Sequence, residues 1–338
     1  MKTAYTLIIG VLGGWVAWWL GLPLPWMLGP LILVMILAIK GVPVHVNRQA
    51  NQFFLGVLGF WLGTGFEAGL LKELATWYPS VLVMLLSVAV TLIVNTLVFK
   101  KLAGLDIITS VFSSLPGTMN AVVIQGEKLG GDARWIAIAQ TLRIALVVIS
   151  TSMIFYFMPG QGLENPSTEL GKLTHLGWLA LVPVGWWLAK QLRLPMAEFL
   201  GPMLISASLS LTIVDIELPS WIMIITFVVL GSGIGSRFSG ACITQLLKVS
   251  RYAVLATSLG MLIAAIFAFV TWKLTAIPLS HAFLALVPGG VGEMALIATA
   301  AGINPIYVVY IHLIRLFVLI LSAPLLSYLL TRYQRKHL

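Results

Sequence analysis

The sequence predicts an all-α polytopic membrane protein made of two inverted repeats. It would have about ten net transmembrane crossings and two broken, re-entrant Pro-Gly segments. Three observations carry this reading. First, 59% of the 338 residues are hydrophobic and only 9% are charged, with a mean hydropathy of +1.02. Soluble domains carry about 25% charged residues, so this chain cannot bury its apolar surface in a water-soluble core. Second, the apolar run from Ile277 to Ala301 is interrupted by Pro288-Gly289-Gly290-Val291-Gly292-Glu293, and a related break, Pro116-Gly117-Thr118-Met119-Asn120, lies 172 residues earlier. Third, the offset of 172 aligns residues over most of the chain without a gap.

Taken in order, apolar segments fall at about 4–20, 24–39, 52–71, 79–99, 107–126 and 134–157. A polar stretch follows, from Pro159 to His175. The series then returns at about 176–189, 195–214, 219–236, 252–272, 278–301 and 303–330. The offset matches Gly13 with Gly185, Leu28-Gly29-Pro30 with Leu200-Gly201-Pro202, Gly59 with Gly231, Pro116-Gly117 with Pro288-Gly289 and Arg143 with Arg315. Self-similarity at one fixed spacing marks a duplicated unit. The expected organisation is a first repeat at 1–157, an extracytoplasmic linker at 158–175, a second repeat at 176–330 and a basic cytoplasmic tail at 331–338.

The basic residues orient the copies. With a cytoplasmic N-terminus and re-entrant Pro-Gly segments, fifteen of the 20 lysines and arginines lie inside. Lys72, Lys172 and Lys273 lie outside, and Arg143 and Arg315 lie in the membrane. Cytoplasmic loops carry this excess of Lys and Arg, so each repeat makes five net crossings, the copies are inverted and both termini are cytoplasmic. Were the Pro-Gly segments full crossings, the repeats would be parallel instead. The same bias accounts for the net charge of +9, which is not a nucleic-acid footprint.

The breaks are where chemistry is expected. Proline removes a backbone donor and each glycine weakens a helix by about 1 kcal/mol. Broken backbone at membrane depth is tolerated where protein or a water-filled cavity satisfies the freed groups. Half-helix N-termini present N–H groups and partial positive charge to an anionic solute, and Gly117, Gly289, Gly290 and Gly292 admit it closely. Thr118 and Asn120 add neutral hydrogen bonds.

Arg143 and Arg315 each lie about two turns into an apolar helix, with Gln140 and His312 one turn before them. A guanidinium costs roughly 2.5–3.5 kcal/mol at a transmembrane helix centre on insertion scales. It can grip a carboxylate with two parallel hydrogen bonds, pair with Glu293, or cap carbonyls freed at the breaks. Glu293 has no acidic counterpart in the first copy. It could carry a coupling proton, meet a solute ammonium or form a fixed ion pair. The single cysteine, Cys242, and five scattered histidines leave no metal cluster or disulfide to expect. No cofactor or enzymatic chemistry is expected.

Two copies of Leu-Gly-Pro, then Pro-Gly-Gly-x-Gly-Glu-Met over Pro288–Met294, then His312-x-x-Arg315 resemble the membrane AbrB family over roughly residues 5–330. The first copy departs from the pattern, with Thr118 for the second glycine, no glutamate, and Gln140 for the histidine. The labels attached to that family are a transcriptional regulator, an ammonia monooxygenase and a transporter-like protein. A DNA-binding regulator needs a polar domain that this chain lacks, and a metal oxygenase needs clustered ligands. The reading is therefore a multi-pass bacterial inner-membrane transporter of a small polar organic solute, an organic anion or an amino-acid-like zwitterion, with alternating access between the repeats. The alternative is a membrane sensor that binds a solute and acts on gene expression indirectly. The partners expected are the bilayer and the solute, coupled to a proton or sodium ion, with a homo-oligomer left open.

Overall fold

The computed structural model describes residues 2–67, 69, 73, 76–117, 119–158, 173–212, 216 and 218–337. Among them there is no strand. The helices are α1 (Lys2–Trp19), α2 (Pro25–Ile39), α3 (Arg48–Thr64), α4 (Tyr78–Leu97), α5 (Ile107–Ser114), α6 (Met119–Lys128) and α7 (Ala133–Phe157). The second half gives α8 (Leu181–Gln191), α9 (Ala197–Thr212), α10 (Ser220–Ser236), α11 (Ile243–Leu274), α12 (Leu279–Leu286), α13 (Val291–Ala300) and α14 (Pro305–His337). A π-helical turn, Val98–Leu102, extends α4, and a 3-10 segment, Leu173–Ala180, leads into α8. Four spans, Tyr78–Leu102, Ala133–Phe157, Ile243–Leu274 and Pro305–Arg332, are long and apolar enough to cross a membrane. This is the architecture of a membrane protein.

Local chemistry sets the helix starts. Pro25 opens α2, where its missing N–H and fixed φ are an advantage. Asn47 accepts from the Gln49 N–H, and Asp106 accepts from the Thr109 N–H. Asp132 accepts from the N–H groups of Arg134 and Trp135, opening α7. Each cap satisfies helix donors that would otherwise stay unpaired. The apolar runs at 107–126 and 278–301 are each cut in two at their Pro-Gly segments, as expected. Helix α11 begins earlier than its apolar run at 252, because its first turns carry Gln245, Lys248 and Arg251 among apolar residues. Most of the 158–175 linker falls outside the described residues, and the backbone of α14 continues through the tail to His337.

The chain divides into two compact units, each drawing on both halves of the sequence. The first comprises Met1–Thr76, Ser152–Gly240 and Ala295–Ile306. The second comprises Trp77–Thr151, Ala241–Met294 and Tyr307–Leu338.

In the first unit, glycines let helices touch backbone to backbone. A Cβ at Gly59 of α3 would strike the Phe199 carbonyl of α9, and one at Gly231 of α10 would strike the Met27 carbonyl of α2. Gly63 meets Met203 in the same way, and Gly235 meets Leu31. Gly13 lies on Gly29, and Gly185 lies on Gly201. Every one of these contacts has a partner contact 172 residues away. Close approach through small residues is how helices associate where no hydrophobic driving force separates them from solvent.

These contacts also give directions. Gly10 faces Pro30 and Gly14 faces Trp26, so α1 and α2 are antiparallel. The N–H groups of His45 and Asn47 donate to Thr6 Oγ1 at 2.9 Å and Thr3 Oγ1 at 3.2 Å. The α2–α3 connection therefore stays at the start of α1. Asn51 of α3 lies at Gly233 near the end of α10 and Phe60 clusters with Ile222 near its start, so α3 runs antiparallel to α10 and hence to α2. Along α3, Gly56, Gly59 and Gly63 meet Glu198, Phe199 and Met203 in rising order, so α9 runs parallel to α3. Helices α2 and α9, equivalent in sequence, thus point in opposite directions.

In the second unit, α5 and α6 form a helical hairpin. Gly126 lies against Phe112 and Gly131 against Ile108, while the Asp132 N–H donates to Thr109 Oγ1 at 2.9 Å. Ile108, Phe112, Leu115, Val122 and Ile136 fill its interior, with Leu319, Leu326 and Leu330 of α14 packed against them.

The reciprocal packing makes a paired prediction. Gly59→Ala and Gly231→Ala should each destabilise the protein by about 1–3 kcal/mol through overpacking. Gly177→Ala, whose Cβ would meet nothing within 4 Å, should be neutral in the same detergent melting experiment.

Candidate functional site

The second unit brings both breaks and both helix-borne arginines together. Helix α5 is eight residues long, a rise of about 12 Å, and ends at Leu115-Pro116-Gly117. Helix α7 starts beside the start of α5. Arg143 therefore sits about 15 Å along α7, level with the tip of the hairpin. Its Nη1 donates to the Leu115 carbonyl at 2.8 Å. At the second break, Arg315 Nη1 of α14 donates to the Val287 carbonyl at 3.0 Å, and Nη2 donates to Gly289 O at 2.7 Å. Leu115 and Val287 are themselves 172 residues apart, so one contact recurs in both halves.

The cause is the broken backbone. The last carbonyls of α5 and α12 have no next helical turn to donate to them, and a buried, unpaired carbonyl is costly. A guanidinium offers five donors in a fixed fork. Of the alternatives open for the arginines, capping freed carbonyls is what the structure contains. The expected Arg315–Glu293 pair is not: both guanidinium bonds of Arg315 run to carbonyls.

Glu293 instead lies in the first turn of α13, half-buried and folded back over Gly290, where a Cβ would collide with its carboxylate. A carboxylate in that place is favoured by the partial positive charge of the helix N-terminus. Gly289 is held against Met294, and Gly117 against Val122. Pro116, Pro288 and Gly292 are buried. Pro288 lies close to Gly260 of α11. Thr118 and the side chain of Asn120 lie outside the described residues.

Gln140 does more than give α7 a polar face. Its Nε2 donates to Phe112 O at 2.8 Å and Leu115 O at 2.9 Å, so Gln140 and Arg143 share the Leu115 carbonyl. His312, its counterpart on α14, bonds Nδ1 to the Val308 carbonyl at 3.1 Å. Gln140, Arg143, His312 and Arg315 are 0%, 8%, 1% and 5% exposed. Leu316, next to Arg315 on α14, lines the same cavity as Leu115, whose carbonyl Arg143 caps.

Beside the first break lies a cavity of about 90 Å³, lined by Leu115, Gly117, Ala121 and Gln125 and by Leu319 and Ala323 of α14. Gln125 Nε2 donates across it to Ser327 Oγ at 3.0 Å. Sequence reasoning passed over Asn95, a buried amide on α4 near Gly260 of α11. A lone asparagine inside the apolar run at 79–99 was the available signal.

The unequal capping makes a prediction. Arg315→Ala removes a guanidinium bond from two buried carbonyls, whereas Arg143→Ala leaves Leu115 O bonded to Gln140. Val287 O keeps the Gly289 N–H at 2.8 Å but Gly289 O is left without its donor, so Arg315→Ala should destabilise the protein more in thermal melting, by about 1–3 kcal/mol. Glu293→Gln should change stability little.

The comparisons with known proteins fit this geometry. A family model described as transition state regulatory protein AbrB matches residues 26–331. The Escherichia coli (strain K12) protein named "Putative regulator AbrB" is 28% identical over 333 residues, covering 93% of this chain and 92% of that protein. The Bacillus subtilis (strain 168) protein named "Uncharacterized protein YhjN" is 24% identical over 365 residues, covering 96% and 92%. The family match spans both broken hairpins and both buried arginines, and the chain belongs to the AbrB family.

Proposed function

We propose that this protein is a secondary transporter of a small polar organic solute carrying a carboxylate, working by alternating access between two inverted repeats in a bacterial inner membrane. The observation that carries the reading is the pair of buried arginines at equivalent breaks. Each caps a carbonyl at the break in its own half, and neither forms an ion pair with a described carboxylate. A buried charge without a counter-ion is costly, and an anionic solute beside it removes that cost.

The architecture supports the same reading. Opposite directions for α2 and α9 are what inverted repeats require. The hairpin of α5 and α6, returning Gly126–Asp132 to the level of Ile108–Phe112, fits a segment that enters and leaves on one side. Five crossings per repeat, about ten in all, with both termini cytoplasmic, follow from that arrangement. Transporters of this plan bind near the bilayer midplane on discontinuous helices, and α5, about 12 Å long, is the length that brings its tip toward the middle of a hydrocarbon layer of about 30 Å. A proton or sodium ion supplies the coupling, with Glu293 in the second hairpin as the group to carry or bind it.

The regulatory names of the family and of its E. coli member favour a second reading, a membrane sensor that binds the solute without moving it. Flux separates the two. Purified protein in liposomes should take up a radiolabelled small carboxylate, and Arg143→Gln and Arg315→Gln should each reduce uptake at least about 10-fold, since hydrogen bonds to charged groups contribute about 1.5–3 kcal/mol. Binding without flux would establish the sensor instead.

The topology has its own test. Cys242, the only cysteine in the sequence, is exposed at the start of α11. Its hydrogen bond with Thr244 holds the thiol below its ordinary pKa, which raises the thiolate fraction at neutral pH. An impermeant maleimide should label it in inside-out vesicles and not in intact cells. The reverse pattern would overturn the assigned orientation.

A further inference from the structure

The hydrogen-bonding atoms left over in the buried cluster define the ligand more narrowly, on the reading that this cluster is the transport site. Among the described residues, three of its side-chain atoms are buried without a partner: Arg143 Nε, Gln140 Oε1 and His312 Nε2. Their roles are fixed by what the other end of each side chain does. The Gln140 amide nitrogen is committed to carbonyls of α5, so its oxygen is the free end. A carbonyl only accepts, so His312 Nδ1 carries the proton that Val308 O receives, and Nε2 is a bare lone pair. The cluster therefore offers one charged donor and two neutral acceptors.

These groups are connected. Gln140 and Arg143 meet on Leu115 O, and α14 packs on the same break: Leu316, next to Arg315 and one turn after His312, lines the cavity beside Leu115. A simple carboxylate would satisfy the guanidinium and leave both acceptors dry, and buried acceptors without donors are costly. The ligand must bring donors as well.

Charge decides which kind of donor. Arg143, Arg315 and Glu293 together give the breaks a net charge of +1. A monocarboxylate neutralises that, whereas a zwitterion adds its ammonium and leaves the excess in place. We propose that the site takes a hydroxylated monocarboxylate, its carboxylate against Arg143 and its hydroxyl donated to His312 Nε2 or Gln140 Oε1.

The test measures affinity of the full-length, detergent-purified protein for lactate and glycolate against propionate and acetate, with alanine as the zwitterion. The hydroxylated member of each pair should bind at least about 10-fold more tightly, since a site built around a substrate hydroxyl rejects the analogue that lacks it. His312→Phe should bring that ratio close to one. His312→Gln, which places at this position the residue found at 140 in the other half, should retain most of the preference.

Equal binding of lactate and propionate by the unaltered protein would overturn the proposal without needing any variant to fold. So would a ratio unchanged in His312→Phe, or tighter binding of alanine than of lactate; that pattern leaves the anion site standing and sinks only the hydroxyl reading. Carboxylate binding indifferent to Arg143→Gln and Arg315→Gln, or no carboxylate binding at all, would overturn both the specificity and the transport site beneath it.

Discussion

The structure of the second unit depends on one interaction, the bond from a buried guanidinium to a carbonyl at the tip of a broken helix. A helix that stops inside a membrane leaves its last carbonyls without donors, and lipid supplies none. Arg143 and Arg315 supply them, and the same fork that closes the α5 and α12 ends leaves a buried positive charge at each break. Breaking the helices and placing the arginines are therefore a single design.

The first unit answers a different constraint. It is held by glycines that let α2 lie on α10 and α3 on α9 at backbone distance. Such contacts rely on shape, with many weak dispersion contacts in place of a few strong ones. Their rigidity suits a scaffold. The second unit, with short half-helices and polar tips, is where a solute could be held and released.

Much of this was legible in the sequence. Composition alone gave the membrane class, and the paired Pro-Gly breaks placed the half-helices to within a residue or two, because proline and glycine act locally. The arginines were visible as anomalies in apolar helices, but their partners were not. Capping of freed carbonyls was one of the readings open for the arginines, but a carbonyl has no sequence signature, so which ones, Leu115, Val287 and Gly289, could not be told. Gln140 was a candidate without a role for the same reason: an amide capping backbone looks, in sequence, like any polar residue on a helix face. The reciprocal glycine contacts were present as a repeat but not as contacts, since spacing along the chain says nothing of which helices meet.

Those reciprocal contacts have a consequence for descent. Gly59 on Phe199 and Gly231 on Met27 are the two faces of a self-complementary surface, of the kind that joins identical subunits across a two-fold axis. On the proposed duplication, an unfused ancestor would have met a second copy of itself through that surface. In such a dimer one base change alters both contacts at once, so every change had to suit two places. Fusion into one chain removed that coupling. Gln140 and His312, or Ala121 and Glu293, are then divergences that became possible once each half had its own copy of the sequence.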